Sequence, residues 1–165
     1  MEINIRSMSI DDWEEVAAIY KEGIDLKIAT FASEVPNYDS WDKAHAKTCR
    51  LVAEFKNRVI GWIALSPVSS RCVYAGVAEV SIYIANEYRG MHVGERLLKT
   101  LIQASEEEGY WTLQSGIIDL NKASIALHTK AGFRMVGYRE KIGIDNNGVW
   151  QNTVLMERRS SVVGV

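Results

Sequence analysis

Glu79 stands at the head of a short apolar strand, Val80–Ile84, where a carboxylate could work beside a partly dry cleft. An amine is protonated at neutral pH and must lose a proton before its nitrogen attacks a carbonyl, and a carboxylate can take that proton directly or through water. Just upstream, Arg71 carries a planar guanidinium of the kind that grips a carboxylate with two parallel hydrogen bonds. Just downstream, the strand turns through Asn86–Gly94 into a helix with apolar residues at Val93, Leu97, Leu98, Leu101 and Ile102. The first amides of a helix have no intrahelical acceptor and its dipole favours negative charge, so a strand, a glycine-bearing turn and a helix start make an anion site. Gly90 and Gly94 would let backbone come close to a pyrophosphate. On pattern alone each feature also has an ordinary reading: an exposed acid at a strand end, a solvated loop arginine, a turn kept for steric reasons.

The surrounding elements follow from periodicity. Glu2–Arg6 alternates as a first strand. Ser9, with Asp12 three residues on, forms a capping box for a helix whose inner face is Trp13, Val16, Ala17 and Tyr20, and Gly23 sits where a C-cap belongs. Ile24–Asn37 reads as a loop over a site, and Asp39 or Ser40 caps a helix through Trp41–Cys49. Leu51–Phe55 and Val59–Leu65 form a hairpin across Lys56-Asn57, followed by a loop, Ser66–Gly76. The central helix ends near Gly109, Thr112–Ile118 is a strand, and Asn121–Ala131 is a short helix stopped by Gly132. Phe133–Ile144 and Val149–Glu157 pair across the turn Asp145-Asn146-Asn147-Gly148, and the tail from Arg158 is expected to fray. The order β-α-α-β-β-β-α-β-α-β-β defines an α/β (α+β) class, with a mixed central sheet of about seven strands and helices on both faces. No repeat, linker or low-complexity tract divides residues 1–165, so a single domain is expected.

Bulk properties narrow the function. The chain has 165 residues, 47% hydrophobic and 24% charged, with a net charge of −2 and no basic stripe, so nucleic acid is not an expected partner. No apolar run approaches the roughly 20 residues that span a membrane, and the first residues lack a signal-peptide core, which points to the cytoplasm. Cys49 and Cys72 have neither metal-site nor CxxC spacing and read as reduced thiols. His45, His92 and His128 are scattered without Cys or acidic partners, so no metal is expected.

Arg89-Gly90-Met91-His92-Val93-Gly94 resembles the acetyl-CoA loop of the GNAT N-acetyltransferases, with His92 where a middle glycine is usual. A non-glycine residue there offers its N–H to the ligand with a negative φ. Asn121, Ser124, His128 and Gly132-Phe133 are similar to the family's second motif, in which Tyr usually takes the place of His128. The Thr30-Phe31 segment with Glu34 and Pro36, the Arg71…Tyr74 pair, the Glu79 strand, His128 and Gly148-Val149-Trp150 resemble the phosphinothricin and methionine sulfoximine acetyltransferase branch. The resemblance covers Ile3–Glu157.

It implies the GNAT fold, acetyl-CoA as co-substrate and no metal. It implies Glu79 as general base and His128 as the acid for the departing thiolate. Backbone of Ile82, Tyr83 and Ile84 would hold the pantetheine arm and polarise the thioester, because this strand splays from its neighbour in the family; pattern alone predicts a fully paired strand. Residues Arg89 through Gly94 with Glu95 would hold the pyrophosphate, and Asn121 and Ser124 the pantetheine amides. Phe31, Arg71, Tyr74, Glu79 and Trp150 would surround the acceptor, although the ordinary readings of Phe31 as a loop anchor and of Trp150 as a core residue stay open. The expected activity is acetylation of the amino group of a small amino acid or analogue of the phosphinothricin, methionine sulfoximine or methionine sulfone type, by direct attack of the amine on the thioester. Relatives in this branch are dimers, so a homodimer is expected. The rivals are the same reaction on a polyamine, an aminoglycoside or a protein N-terminus, and an acyl-CoA-binding module without catalysis.

Overall fold

A computed structural model describes residues 1–165. Its strands are β1 (Asn4–Ser7), β2 (Leu51–Phe55), β3 (Arg58–Pro67), β4 (Val77–Ile84), β5 (Thr112–Ile118), β6 (Arg134–Ile144) and β7 (Trp150–Arg159). The helices are α1 (Trp13–Asp25), α2 (Tyr38–Ala44), α3 (Val93–Glu107) and α4 (Lys122–Lys130). The strands form one seven-stranded sheet, ordered β1-β2-β3-β4-β5-β7-β6, in which only β4 and β5 run parallel. This is the mixed α/β architecture the sequence order implies.

β3 shows how the two faces are filled. Ile60, Ile63 and Leu65 join the core under α3, with Leu97, Leu98 and Leu101, while Val59, Trp62 and Ala64 join a second core with Val16, Ile19 and Trp41. A strand covered on both faces reads as a near-continuous apolar run, because each alternate residue serves a different core. The second core is aromatic: Trp62 stacks on Tyr83 with ring centres 5.0 Å apart, and Tyr20 meets Tyr83 edge-on at 4.9 Å.

Three local expectations are corrected. Gly23 does not end α1, which runs on to Asp25. A Cβ at Gly23 would lie 2.5 Å from the Tyr83 ring, so this glycine serves close packing of α1 on β4. The second helix starts earlier and is capped by Asn37, whose side chain accepts from the Ser40 N–H. The tail is not frayed. Arg159 donates to the carbonyls of Trp111 (3.3 Å), Val163 (2.8 Å) and Gly164 (2.8 Å), and the Ser160 hydroxyl accepts from the Val162 and Val163 amides.

The feature that makes the site is the departure of β4 from β5. Their pairing covers only Val77↔Thr112, Ala78↔Leu113 and Glu79↔Gln114. Beyond that point β4 stays paired with β3 as far as Ile84↔Gly61, and β5 stays paired with β7 as far as Ile118↔Thr153. The two halves of the sheet therefore diverge as a wedge, and the β5-facing edge of β4 beyond Glu79 pairs with no strand.

Candidate active site

Glu79 sits at the vertex of the wedge. Its Oε1 accepts a 3.3 Å hydrogen bond from the Gln114 side chain, its partner on the last shared rung. No local sequence signal marks Gln114, since only the strand register puts it opposite Glu79. The vertex opens into a cavity of about 260 Å³ whose lining includes Glu79, Thr30, Phe31, Ser115 and His128.

Thr30 and Phe31 bring the α1–α2 loop over this cavity. The Thr30 hydroxyl accepts from the Ala32 N–H at 3.1 Å, and burial pushes the Tyr20 and Tyr83 phenols up, so they remain protonated. Phe31, expected near the acceptor, lines this cavity.

The opposite wall is α4. Asn121 caps it by accepting the Ser124 N–H at 3.2 Å through Oδ1, which leaves the amide NH₂ free to donate. His128 is 1% exposed and stands edge-on to Phe133. Its Nδ1 lies 2.7 Å from the Ser124 carbonyl, which can only accept, so Nδ1 carries the proton. Burial holds the His128 pKa below the ordinary imidazole value and the Ser124 carbonyl opposes that only partly, so the ring is neutral and Nε2 offers a lone pair. That Nε2 is buried without a hydrogen-bond partner. The resting ring is thus a proton acceptor at Nε2, and the acid role implied by the resemblance requires it to take up a proton first.

A second cavity, about 480 Å³, runs along the free edge of β4 and shares Ile82, Tyr83, Asn121 and Ser124 with the first. Its lining includes Ile84, Arg89, Gly90, His92, Val93, Gly94 and Glu95. The Val93 side chain itself belongs to the core, and a Cβ at Gly94 would come within 3.2 Å of Leu127, so Gly94 lets α3 and α4 approach. Gly90 has φ +74° and His92 φ +63°. The expected negative φ at His92 is corrected: the residue keeps the left-handed conformation natural to a glycine, at about 1–2 kcal/mol for a side-chain-bearing residue. The first α3 amides remain without helix partners beside it. Glu95 accepts from Lys130 at 2.8 Å and lies 3.1 Å from His92 Nδ1; the Lys130 ammonium, with help from His92, holds its carboxyl below the usual range. The slot is edged by unpaired strand backbone and ends at free helix amides, donors of the kind that amide and pyrophosphate groups require.

Four expected site residues are not in these cavities. Met91 is 50% exposed on the α3 turn. Arg71 and Tyr74 are exposed in the loop before β4, with the guanidinium 5.6 Å from the Tyr74 ring centre. Trp150 is exposed at the start of β7, opposite Ile144, so it is not a core residue.

This geometry agrees with relationship. The sequence matches the acetyltransferase (GNAT) family over residues 11–133, and the chain belongs to that family. It is therefore an N-acetyltransferase, and the acetyl donor of that chemistry is acetyl-CoA. It is 33% identical over 161 residues to a phosphinothricin N-acetyltransferase of Alcaligenes faecalis, covering 93% of this chain and 81% of the relative. It is 26% identical over 164 residues to an L-methionine sulfoximine/L-methionine sulfone acetyltransferase of Pseudomonas paraeruginosa, covering 95% and 94%. A phosphinothricin acetyltransferase from Sinorhizobium meliloti, solved with acetyl-CoA, superposes with a TM-score of 0.89 at 26% identity, covering 99% of this chain and 91% of that one.

Proposed function

We propose that this chain acetylates the amino group of a small amino acid or amino-acid analogue of the phosphinothricin, methionine sulfoximine or methionine sulfone class. The observation that carries the reading is the meeting of two cavities at the free edge of β4. One holds a carboxylate and a bare imidazole nitrogen, and the other fits the donor. The relatives' named acceptors support the class.

The acceptor enters as an ammonium and gives one proton to Glu79. Its nitrogen then forms a bond to the thioester carbon while backbone N–H groups of Ile82–Ile84 receive the oxyanion. His128 Nε2 takes a second proton from the nitrogen as the C–S bond breaks, and returns it to the thiolate. Residues Arg89–Glu95 hold the pyrophosphate, with Met91 contributing backbone, and Asn121 and Ser124 hold the pantetheine amides.

Arg71 and Tyr74 receive the acceptor's acidic group, with Trp150 as an outer wall. Their exposure in one chain fits completion of the pocket by a second copy, as do the exposed apolar side chains of the edge strand β6: Met135, Tyr138, Ile142 and Ile144. The residues act as one domain in a cytoplasmic homodimer, and acetylation would detoxify such analogues. No helix is long and apolar enough to cross a membrane.

The test is thiol release from acetyl-CoA with phosphinothricin, methionine sulfoximine, methionine sulfone, spermidine, an aminoglycoside and a short peptide. Saturable turnover on the first three is expected. Turnover only on the others would discard the amino-acid pocket, and tight acetyl-CoA binding with no turnover would discard catalysis.

A further inference from the structure

Gly143 lies in β6, opposite Gln151 of β7 and next to an irregularity in the β6–β7 register. It is not among the residues with positive φ, so its backbone is open to any side chain. Something other than conformation keeps it bare. A Cβ built there would lie 2.9 Å from both Cε1 and Cζ of Phe31 and 3.4 Å from Cδ1. The ring therefore occupies the volume a side chain would need. Carbon atoms pack at about 3.5–4.0 Å, so even a methyl group would drive the ring back by roughly 0.6 Å or more.

The ring has few ways to retreat. The residue before it, Thr30, accepts the Ala32 N–H at 3.1 Å through its hydroxyl, a local turn that closes around Phe31. The strand cannot yield easily either. Gln151 donates to Asp145 at 2.9 Å, and Asp145 also accepts from the Val149 and Asn147 amides, which fixes the hairpin end beside Gly143. Phe31 lines the cavity that holds Glu79 and His128, so a shift of the ring reshapes that cavity's wall.

We infer that Gly143 is a positioning residue for acceptor specificity: its missing side chain is the seat of Phe31 and thereby sets how long an acceptor side chain fits beside Glu79. The inference rests on the cavity being the acceptor site, and two measurements separate the claims. The first needs no acceptor. The chain has three phenylalanines, Phe31, Phe55 and Phe133, so protein labelled with 4-fluorophenylalanine gives three fluorine resonances. The one lost in Phe31→Leu should move in Gly143→Ala while the other two stay. An unmoved Phe31 resonance would overturn the seat.

The second measurement is kcat/KM for acceptors of increasing side-chain length, drawn from those the wild type turns over. One methylene in a tight apolar pocket is worth about 10–200-fold. Gly143→Ala should therefore lose about 10-fold or more on the longest acceptor relative to the shortest, through acceptor KM, with acetyl-CoA KM unchanged. Phe31→Leu added to Gly143→Ala should restore the longest acceptor. Equal losses on all acceptors, or no restoration in the double variant, would overturn the specificity role. If the wild type uses only polyamines or peptides, the amino-acid reading falls, and the same length series on those acceptors decides the role of Gly143.

Discussion

The two arms of the wedge are built in opposite ways. The arm proposed for the donor centres on one continuous stretch, Ile82–Glu95, with α4 and the loop residues Leu26, Ile28 and Ala29 around it, and its distinctive groups are backbone: the free edge of β4 and the first amides of α3. The acceptor arm draws on β4, the α1–α2 loop, β5 and α4, and offers side chains: Glu79, Phe31, Ser115 and His128. Backbone sites tolerate sequence change as long as the chain path is kept, which is how His92 can stand in a glycine's conformation. Side-chain sites fail when one group moves by an ångström.

The contrast is broken most directly at the vertex. Glu79→Gln should lower kcat by about 10²–10⁴-fold and leave acetyl-CoA affinity nearly unchanged. A near-normal rate across the pH range would remove Glu79 as the base and leave the acceptor arm without its central group. Next in size is Gln114→Met, which frees the Glu79 carboxylate to rotate; about a 10-fold fall in kcat is expected. Because Gln114 acts through Glu79, the same change made in Glu79→Gln should cost almost nothing more. Additive losses in that double-mutant cycle would make Gln114 an independent contributor.

Stability against pH probes the acceptor arm in another way. Burial lowers the His128 pKa in the fold, and the same cause lowers His45, which stacks on Trp41. Below the unfolded value of about 6.5 the unfolded chain takes up protons that the folded chain refuses, so stability present above that pH is lost as pH falls toward the folded values. The thermal midpoint should drop between about pH 7 and pH 5, and less steeply in His128→Asn. An unchanged slope in that variant would place the loss outside the active site. The smallest effect belongs to the donor arm. His92→Gly should raise stability by about 1 kcal/mol by relieving the left-handed residue, with acetyl-CoA KM unchanged. A clear rise in that KM would show that the imidazole, and not only the backbone, meets the donor.

The same division explains what could be read beforehand. The elements were legible because α3 carries a clear helical period and β3 is an apolar run that follows the turn Lys56-Asn57, and the donor loop because its residues are neighbours in sequence. The divergence of β4 from β5 was not legible from pattern, since Val80–Ile84 alternates identically whether or not a strand lies beside it. Only the family resemblance implied it. Gln114 and Gly143 were invisible for a related reason: each acquires meaning from a partner far away, Glu79 and Phe31, through strand register and loop packing. Gly23 read as a helix stop because nothing local announces that the Tyr83 ring needs its space. The tail read as frayed because the acceptors of Arg159 are carbonyls, which leave no mark on residue type.

That tail has a mechanical consequence. Arg159 pairs with Thr112 at the start of β5, and Trp111 donates its N–H to Gly76 just before β4 and packs where a Gly76 side chain would be. The closed end of the wedge is thus riveted across three segments, while its other end has no cross-strand tie. Like tongs with a fixed pivot, the arms are held most firmly near Glu79, while at the far end they meet through the Lys130–Glu95 pair and the Gly94–Leu127 contact. On the proposed assignment of the two arms, motion that admits and releases the large co-substrate would leave the Glu79 end least disturbed.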